Sequence, residues 1–327
     1  MLFNLLAVRM CKYGKGNFEE ISKDPKSGDR SWENCHRAFL AHRGKEELDE
    51  AEVELLCLHL AWYLASWGML RNSPLRLYNH RVHEAAVRLI YSPRYDCLWD
   101  LDVKTYENVI EGTDQTYADR VIEISEELNK IYGALPKNKT KRISDTLQTK
   151  ILLGTLGCVP AFDRYLKAAI RSTFSHLSTV LYDAKILRGM GLLYRDHSFN
   201  FSVLREKWNR EIKETRPVNE QIEYPTAKVL DMCFFQYGFF ADWVEEHAKK
   251  LLEAQGRDLD ARKKENDDSL FLLRMICLSY ILGDRVLEEE NVSAELRESI
   301  RESVSDLGQM LEKSKNYEAY QKYIQQK

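Results

Sequence analysis

Glycine and proline are scarce in this chain, 15 and 7 among 327 residues. That scarcity excludes a sandwich or barrel of many short strands, which needs turn formers at close regular intervals. It favours long helices with few breaks. Long hydrophobic runs are missing too. The longest, residues 55–70, contains His59 and Ser66 and falls short of a membrane span. The opening MLFNLLAVRM is too short for a secretory signal and has no small-residue cleavage pattern. No Cys-x-x-Cys occurs: the seven cysteines, at 11, 35, 57, 97, 158, 233 and 277, are spread along the chain. This spacing excludes a tight zinc or iron–sulfur site and fits reduced thiols. Nor is there an excess of positive charge. With a formal net charge of -3, nucleic-acid binding requires a local basic patch rather than attraction by the whole molecule. These absences lead to the expectation of a cytoplasmic protein with no membrane contact, no metal, no cofactor and no obligate protein partner.

What is present is a globular composition, 44% hydrophobic and 30% charged. The length allows one large domain or two lobes. Residues 11–31 are polar, hold three glycines and a proline, and read as a surface loop. Leu55, Leu56, His59, Trp62, Tyr63, Ser66, Trp67 and Leu70 recur at three- and four-residue steps and predict a helix over 46–70, whose latter half, LHLAWYLASWGML, is apolar nearly all round and expected to be central. Further helices are expected over 32–42, 75–90, 103–111, 116–132, 180–193, 202–214, 270–282 and from Pro225 with a bend at Gly238. A helix from Arg164 continues toward Leu177. The run 256–268 is charged, and tyrosines at 317, 320 and 323 mark a peripheral tail. The fold class is all-α, arranged as two lobes with a cleft between them. Three segments are expected: 1–112, 113–195, and 196–327 packed with the first.

Residues 145–167, DTLQTKILLGTLGCVPAFDRYLK, carry the functional signal. An apolar helix breaks at Gly157-Cys158-Val159-Pro160, and Asp163 stands where the next helix begins. Upstream, Lys137, Lys139, Lys141 and Arg142 cluster without an acid among them, on a loop suited to a phosphate backbone. A carboxylate at a helix N-terminus is favoured in its ionised form.

The order amphipathic helix, basic loop, apolar helix, short turn, then Pro160-Ala161-Phe162-Asp163, resembles the helix-hairpin-helix DNA glycosylase superfamily over residues 116–170. The resemblance implies cleavage of an N-glycosidic bond in double-stranded DNA, with Asp163 stabilising the developing sugar cation or aligning water. It implies a base-excision role and a pocket of aromatic or apolar walls for an extruded base. The wall candidates are His59, Trp62, Trp67 and Tyr165, and Arg164 joins the basic loop as a phosphate ligand. One branch of such enzymes removes heavily modified cytosines, such as glucosylated hydroxymethylcytosine, from phage DNA, an antiviral role that this chain's long flanks suit. Two departures matter. Lys137-Asn138-Lys139-Thr140 replaces the family's hairpin glycines, and Asp145 stands where its bifunctional members carry a catalytic lysine. Lys150 is the nearest substitute, so a monofunctional enzyme that leaves an abasic site is expected.

Two alternatives remain at this level. Arg37 and His42, four residues between them, resemble the arrangement of HEPN ribonucleases. A non-enzymatic helical interaction protein would instead show a contiguous apolar surface.

Overall fold

The computed structural model describes residues 2–45, 47–71, 73–173, 180–259, 267–289, 292–314 and 317. These are all-helical, with no strand beyond one isolated bridge between Val109 and Thr116. The helices begin with α1 (Leu2–Lys23), α2 (Ser31–Leu40), α3 (Glu50–Ser66), α4 (Glu84–Ile90), α5 (Tyr117–Gly133) and α6 (Asp145–Gly154). They continue with α7 (Arg164–Thr173), α8 (Ala184–Asp196), α9 (Ser198–Thr215) and α10 (Thr226–Ala254), and close with α11 (Asp267–Leu282), α12 (Arg285–Glu289) and α13 (Ala294–Glu312). The approach to Leu177, most of the charged run 256–268 and the tyrosines at 320 and 323 lie outside the described residues.

The chain forms two compact units. The first holds residues 15–163 and 181–232; the second holds 1–14, 164–180 and 233–327. Each unit draws on separated stretches of chain: α1 and α10 each span a boundary, and the 164–180 stretch lies in sequence between the two parts of the first unit.

Residues 11–23, expected in a loop, are helical. One face of α1 supplies Ala7, Met10 and Tyr13 to the second unit's core and Phe18 and Ile21 to the first's. That burial outweighs the low helix propensity of Gly14 and Gly16. Gly14 is required by its neighbour, since a Cβ there would stand 2.5 Å from the Cys233 sulfur.

In the first unit, α3 opens on a reciprocal cap in which Asp49 and Glu52 accept each other's backbone N–H. It ends at Ser66, before the expected Leu70, because Gly68 takes a left-handed φ of +71°. It buries Val53, Leu56, Leu60, Tyr63 and Leu64 but leaves Leu55, Leu58 and Trp62 exposed. The latter half, apolar nearly all round, is thus only partly covered; α2, α4, α6 and the segment His80–His83 pack against the helix. Gly154 lets α6 approach it closely: a Cβ there would lie 2.3 Å from the Tyr63 ring. The expected helix over 75–90 breaks into 3-10 turns, Pro74–Leu77 and His80–His83, before α4. The Ser73 and Asn79 side chains cap those turns by accepting from Leu75 and Arg81 N–H.

In the second unit, Tyr165 stands edge-on to Phe235 and Phe239. Gly238, within continuous α10, admits the Tyr165 carbonyl where a Cβ would collide.

His83 is buried in the first unit, with Nδ1 2.7 Å from the Tyr132 hydroxyl. Burial, then the nearby His80, push its imidazole down to about 4. The unfolded chain takes up that proton near the ordinary histidine value, so it binds more protons between these two pH values. The native state is then fully favoured above about pH 6.5, and His83 withdraws roughly 3 kcal/mol of stability as pH falls towards 4. Urea unfolding of wild type and His83→Gln across this range should show a shallower acid loss in the variant. Identical pH dependence would rule out a buried neutral His83.

Candidate functional site

The basic loop folds as a hairpin between α5 and α6, held by side chains instead of glycines. Asn138 is buried. Its Nδ2 donates to the Tyr132 and Arg142 carbonyls at 3.1 Å, and its Oδ1 accepts from the Thr140 N–H and hydroxyl. Lys141 adopts φ 57°, the left-handed geometry glycine would ordinarily supply. Gly133 admits the returning strand of the loop, since a Cβ there would lie 2.4 Å from the Lys141 carbonyl oxygen. Ser144 then caps α6 by accepting from Leu147 N–H.

This hairpin forms one side of an open cavity of about 740 Å³, and residues 68–71 and 73–77 supply the other. Lys137, Lys139 and Arg142 line it together with Arg71 and Arg76, while Lys141 lies outside the lining. Sequence reading missed Arg71 and Arg76. No local pattern signalled that this segment faces the hairpin.

From Leu147 to Gly154, α6 is buried at every residue. The turn that follows is pinned through its backbone, because a buried irregular segment must satisfy its polar groups by specific partners. Trp32 Nε1 donates to Leu153 O at 2.8 Å, and His36 sets its ring nitrogens against Thr155 O (2.7 Å) and the Asp100 carboxylate (3.0 Å). Asp100 N–H donates to Leu156 O and the Tyr106 hydroxyl to Cys158 O. Ala161 N–H donates to Asp231, and Phe162 N–H to Thr149 Oγ1. Thr146, on the cavity lining, donates its hydroxyl to Phe162 O at 2.9 Å. Asp163 is therefore the last residue of a fully tied segment.

Asp163 and Lys150, thirteen positions apart in sequence, are brought together: Nζ lies 3.7 Å from the Asp163 carboxylate. Lys150 is buried, its ammonium 4.1 Å from the Trp67 ring centre. Burial pushes the Lys150 amine below the usual lysine range; Asp231 and Asp163 oppose this, and Lys228 adds to it. Lys228 donates to Asp231 at 3.0 Å, both buried, and its ammonium stands 5.2 Å from the Trp32 ring and 5.6 Å from Trp67. Two lysines and two carboxylates thus offset each other's charge around the Trp67 indole. Side-chain exposure sets one member apart: Asp163 is 16% exposed, against 3% for Lys150, 5% for Lys228 and 6% for Asp231. Sequence reading missed Lys228 and Asp231. They sit one turn apart at the start of α10, where an i, i+3 pair of opposite charge reads as an ordinary surface bridge.

The other candidates go elsewhere. Trp67 lies in the cluster, but Trp62, five residues earlier on α3, is 67% exposed and does not line the cationic cavity. His59 is half-buried, its imidazole pushed down by burial and then by Arg37 and His42; it lines neither the cationic cavity nor the cluster. Tyr165 and Arg164 belong to the second unit, where Arg164 is ion-paired with Asp242, so its charge is already met by a carboxylate. Arg37 donates to Asn34 Oδ1, and the His42 ring engages the Ala38 carbonyl, with Nε2 3.6 Å from Glu52.

Comparison with protein-family models, curated proteins and solved structures finds no match to this chain.

Removing one partner of a buried ion cluster leaves a charge without compensation. Lys150→Met is expected to lower unfolding free energy by about 3 kcal/mol, measured by urea denaturation. A loss below about 1 kcal/mol would mean that the cluster is solvated and weakly coupled.

Proposed function

We propose that the chain is a monofunctional DNA N-glycosylase acting on a modified base, with Asp163 as its catalytic carboxylate. The observation that carries the reading is the asymmetry of the charged cluster. Three of its four groups are sealed, and Asp163 alone keeps access to solvent. The residue before it is held by Thr146 from the lining of a cationic cavity. The succession of α5, side-chain-tied hairpin and α6 supports the likeness to a helix-hairpin-helix element, and the cationic hairpin supports DNA as partner.

In the reaction, the bond between C1′ and the base nitrogen breaks and its electron pair leaves with the base. Positive charge grows on the sugar, and an ionised carboxylate held beside it lowers the barrier. Water adds its oxygen to C1′; one proton passes by way of Asp163 to the departing base, leaving an abasic sugar. Lys150 acts as a positioning residue. Its buried ammonium fixes the carboxylate and is itself too enclosed to reach a sugar carbon.

A second reading, a helical interaction protein without catalysis, is favoured by the exposed stripe Leu55, Leu58 and Trp62 on α3.

The test is release of free base from duplexes carrying unmodified, methylated, hydroxymethylated or glucosylated cytosine. Wild type should release base from at least one of them, and Asp163→Asn should slow that release by about 100-fold or more. Borohydride should trap no covalent adduct. Release from none of the duplexes, or release unaffected by Asp163→Asn, would refute the reading in favour of the interaction protein. An adduct that Lys150→Ala abolishes would replace monofunctional hydrolysis by a lysine-based lyase.

A further inference from the structure

We propose that Arg71 and Arg76 form a second cationic wall, facing the hairpin, and that the sugar–phosphate backbone of one DNA strand is gripped between them. This rests on the DNA-binding part of the reading above and not on its chemistry. The observation is a charge arrangement around the 740 Å³ cavity: its lining holds Arg71, Arg76, Lys137, Lys139 and Arg142 and no carboxylate. None of the five has a carboxylate within ion-pair distance among the described residues. Other exposed arginines of the same unit do find acids: Arg81 pairs with Glu54 and Glu84, Arg88 with Glu50, Arg94 with Glu123. A chain with more acids than bases has ample means to neutralise five cations, and here it does not.

Like charges gathered round a concavity repel one another, and the low-dielectric walls focus their potential outward. An anion relieves that repulsion. The two walls are also joined in advance. Lys137 N–H donates to the Tyr78 hydroxyl at 3.0 Å, and its ammonium lies 5.2 Å from the Tyr78 ring, which adjoins the 68–77 segment. Ser144 and Thr146 bring the N-terminal end of α6 onto the lining, where the positive end of the helix dipole adds to the potential.

A polymer with evenly spaced phosphates offers a negative charge to each wall. Met69, Pro74 and Leu77 add apolar surface beside the cations, as sugars and bases require. A cavity of about 740 Å³ cannot enclose a duplex, which would lay one backbone along its opening.

The test is fluorescence anisotropy of the full chain with labelled duplex and single-stranded oligonucleotides over a salt series. Two paired variants are compared, Arg71→Glu/Arg76→Glu and Lys139→Glu/Arg142→Glu. All four side chains are exposed, and an unchanged thermal melt confirms that each variant folds. Each pair should weaken binding at low salt at least tenfold. Each should also flatten the slope of log affinity against log salt by about 1.8 on duplex or about 1.4 on single strand. The oligonucleotide bound more tightly identifies the form in which the strand is held. If Arg71→Glu/Arg76→Glu binds with wild-type affinity and slope while the hairpin pair does not, the second wall is refuted. Failure of wild type to bind either oligonucleotide refutes it as well. Intact binding without base release would sink the hydrolytic reading and leave this one standing.

Discussion

A lysine ammonium taken out of water is the constraint on which the first unit's interior turns. Lys150 lies on a helix buried on all sides from Leu147 to Gly154, so its charge must be met there or lost. Asp163, Asp231 and the face of Trp67 meet it. Each is delivered by a different piece of chain: the turn after α6, the start of α10 and the residue that follows α3. Asp231 does two things at once, since it neutralises Lys228 and accepts the Ala161 N–H. Through it, the charge balance of the cluster and the course of the backbone into Asp163 become one problem with one solution.

That coupling gives the proposed chemistry its physical basis. A carboxylate that must stabilise a transient sugar cation works best when it is already fixed and partly dehydrated, because little has to reorganise as charge develops. The tied segment fixes the backbone at Phe162, Lys150 fixes the carboxylate, and residual exposure leaves Asp163 reachable. A cationic cavity is tied to the same segment through Thr146. Binding and chemistry would then share α6, whose first turn faces the cavity and whose second carries Lys150.

The all-helical class was legible in the scarcity of glycine and proline and in the spacing of apolar residues. So were the break at Gly157–Pro160 and the basic loop between two helices, because these lie within one continuous stretch. Three things were not. The helix through residues 11–23 depends on burial of Phe18 and Ile21 against other elements, which local composition conceals. Trp62 and Trp67 look equivalent in a run of aromatics, yet one is exposed and one meets two ammonium groups, because Gly68 ends the helix at that point. Arg71, Arg76, Lys228 and Asp231 join the site only through contacts between distant parts of the chain, and no spacing rule reaches that far.

The central claim is that Asp163 stabilises positive charge on a sugar. Its most direct test is affinity for two abasic-site mimics placed in the same duplex, one a cationic pyrrolidine and one a neutral tetrahydrofuran. A site complementary to the cation binds the charged mimic more tightly, by about 100-fold or more if transition-state complementarity is used. Asp163→Asn should erase that preference while leaving affinity for the neutral mimic unchanged. Equal affinity of wild type for both mimics, or a preference that survives Asp163→Asn, would contradict the account.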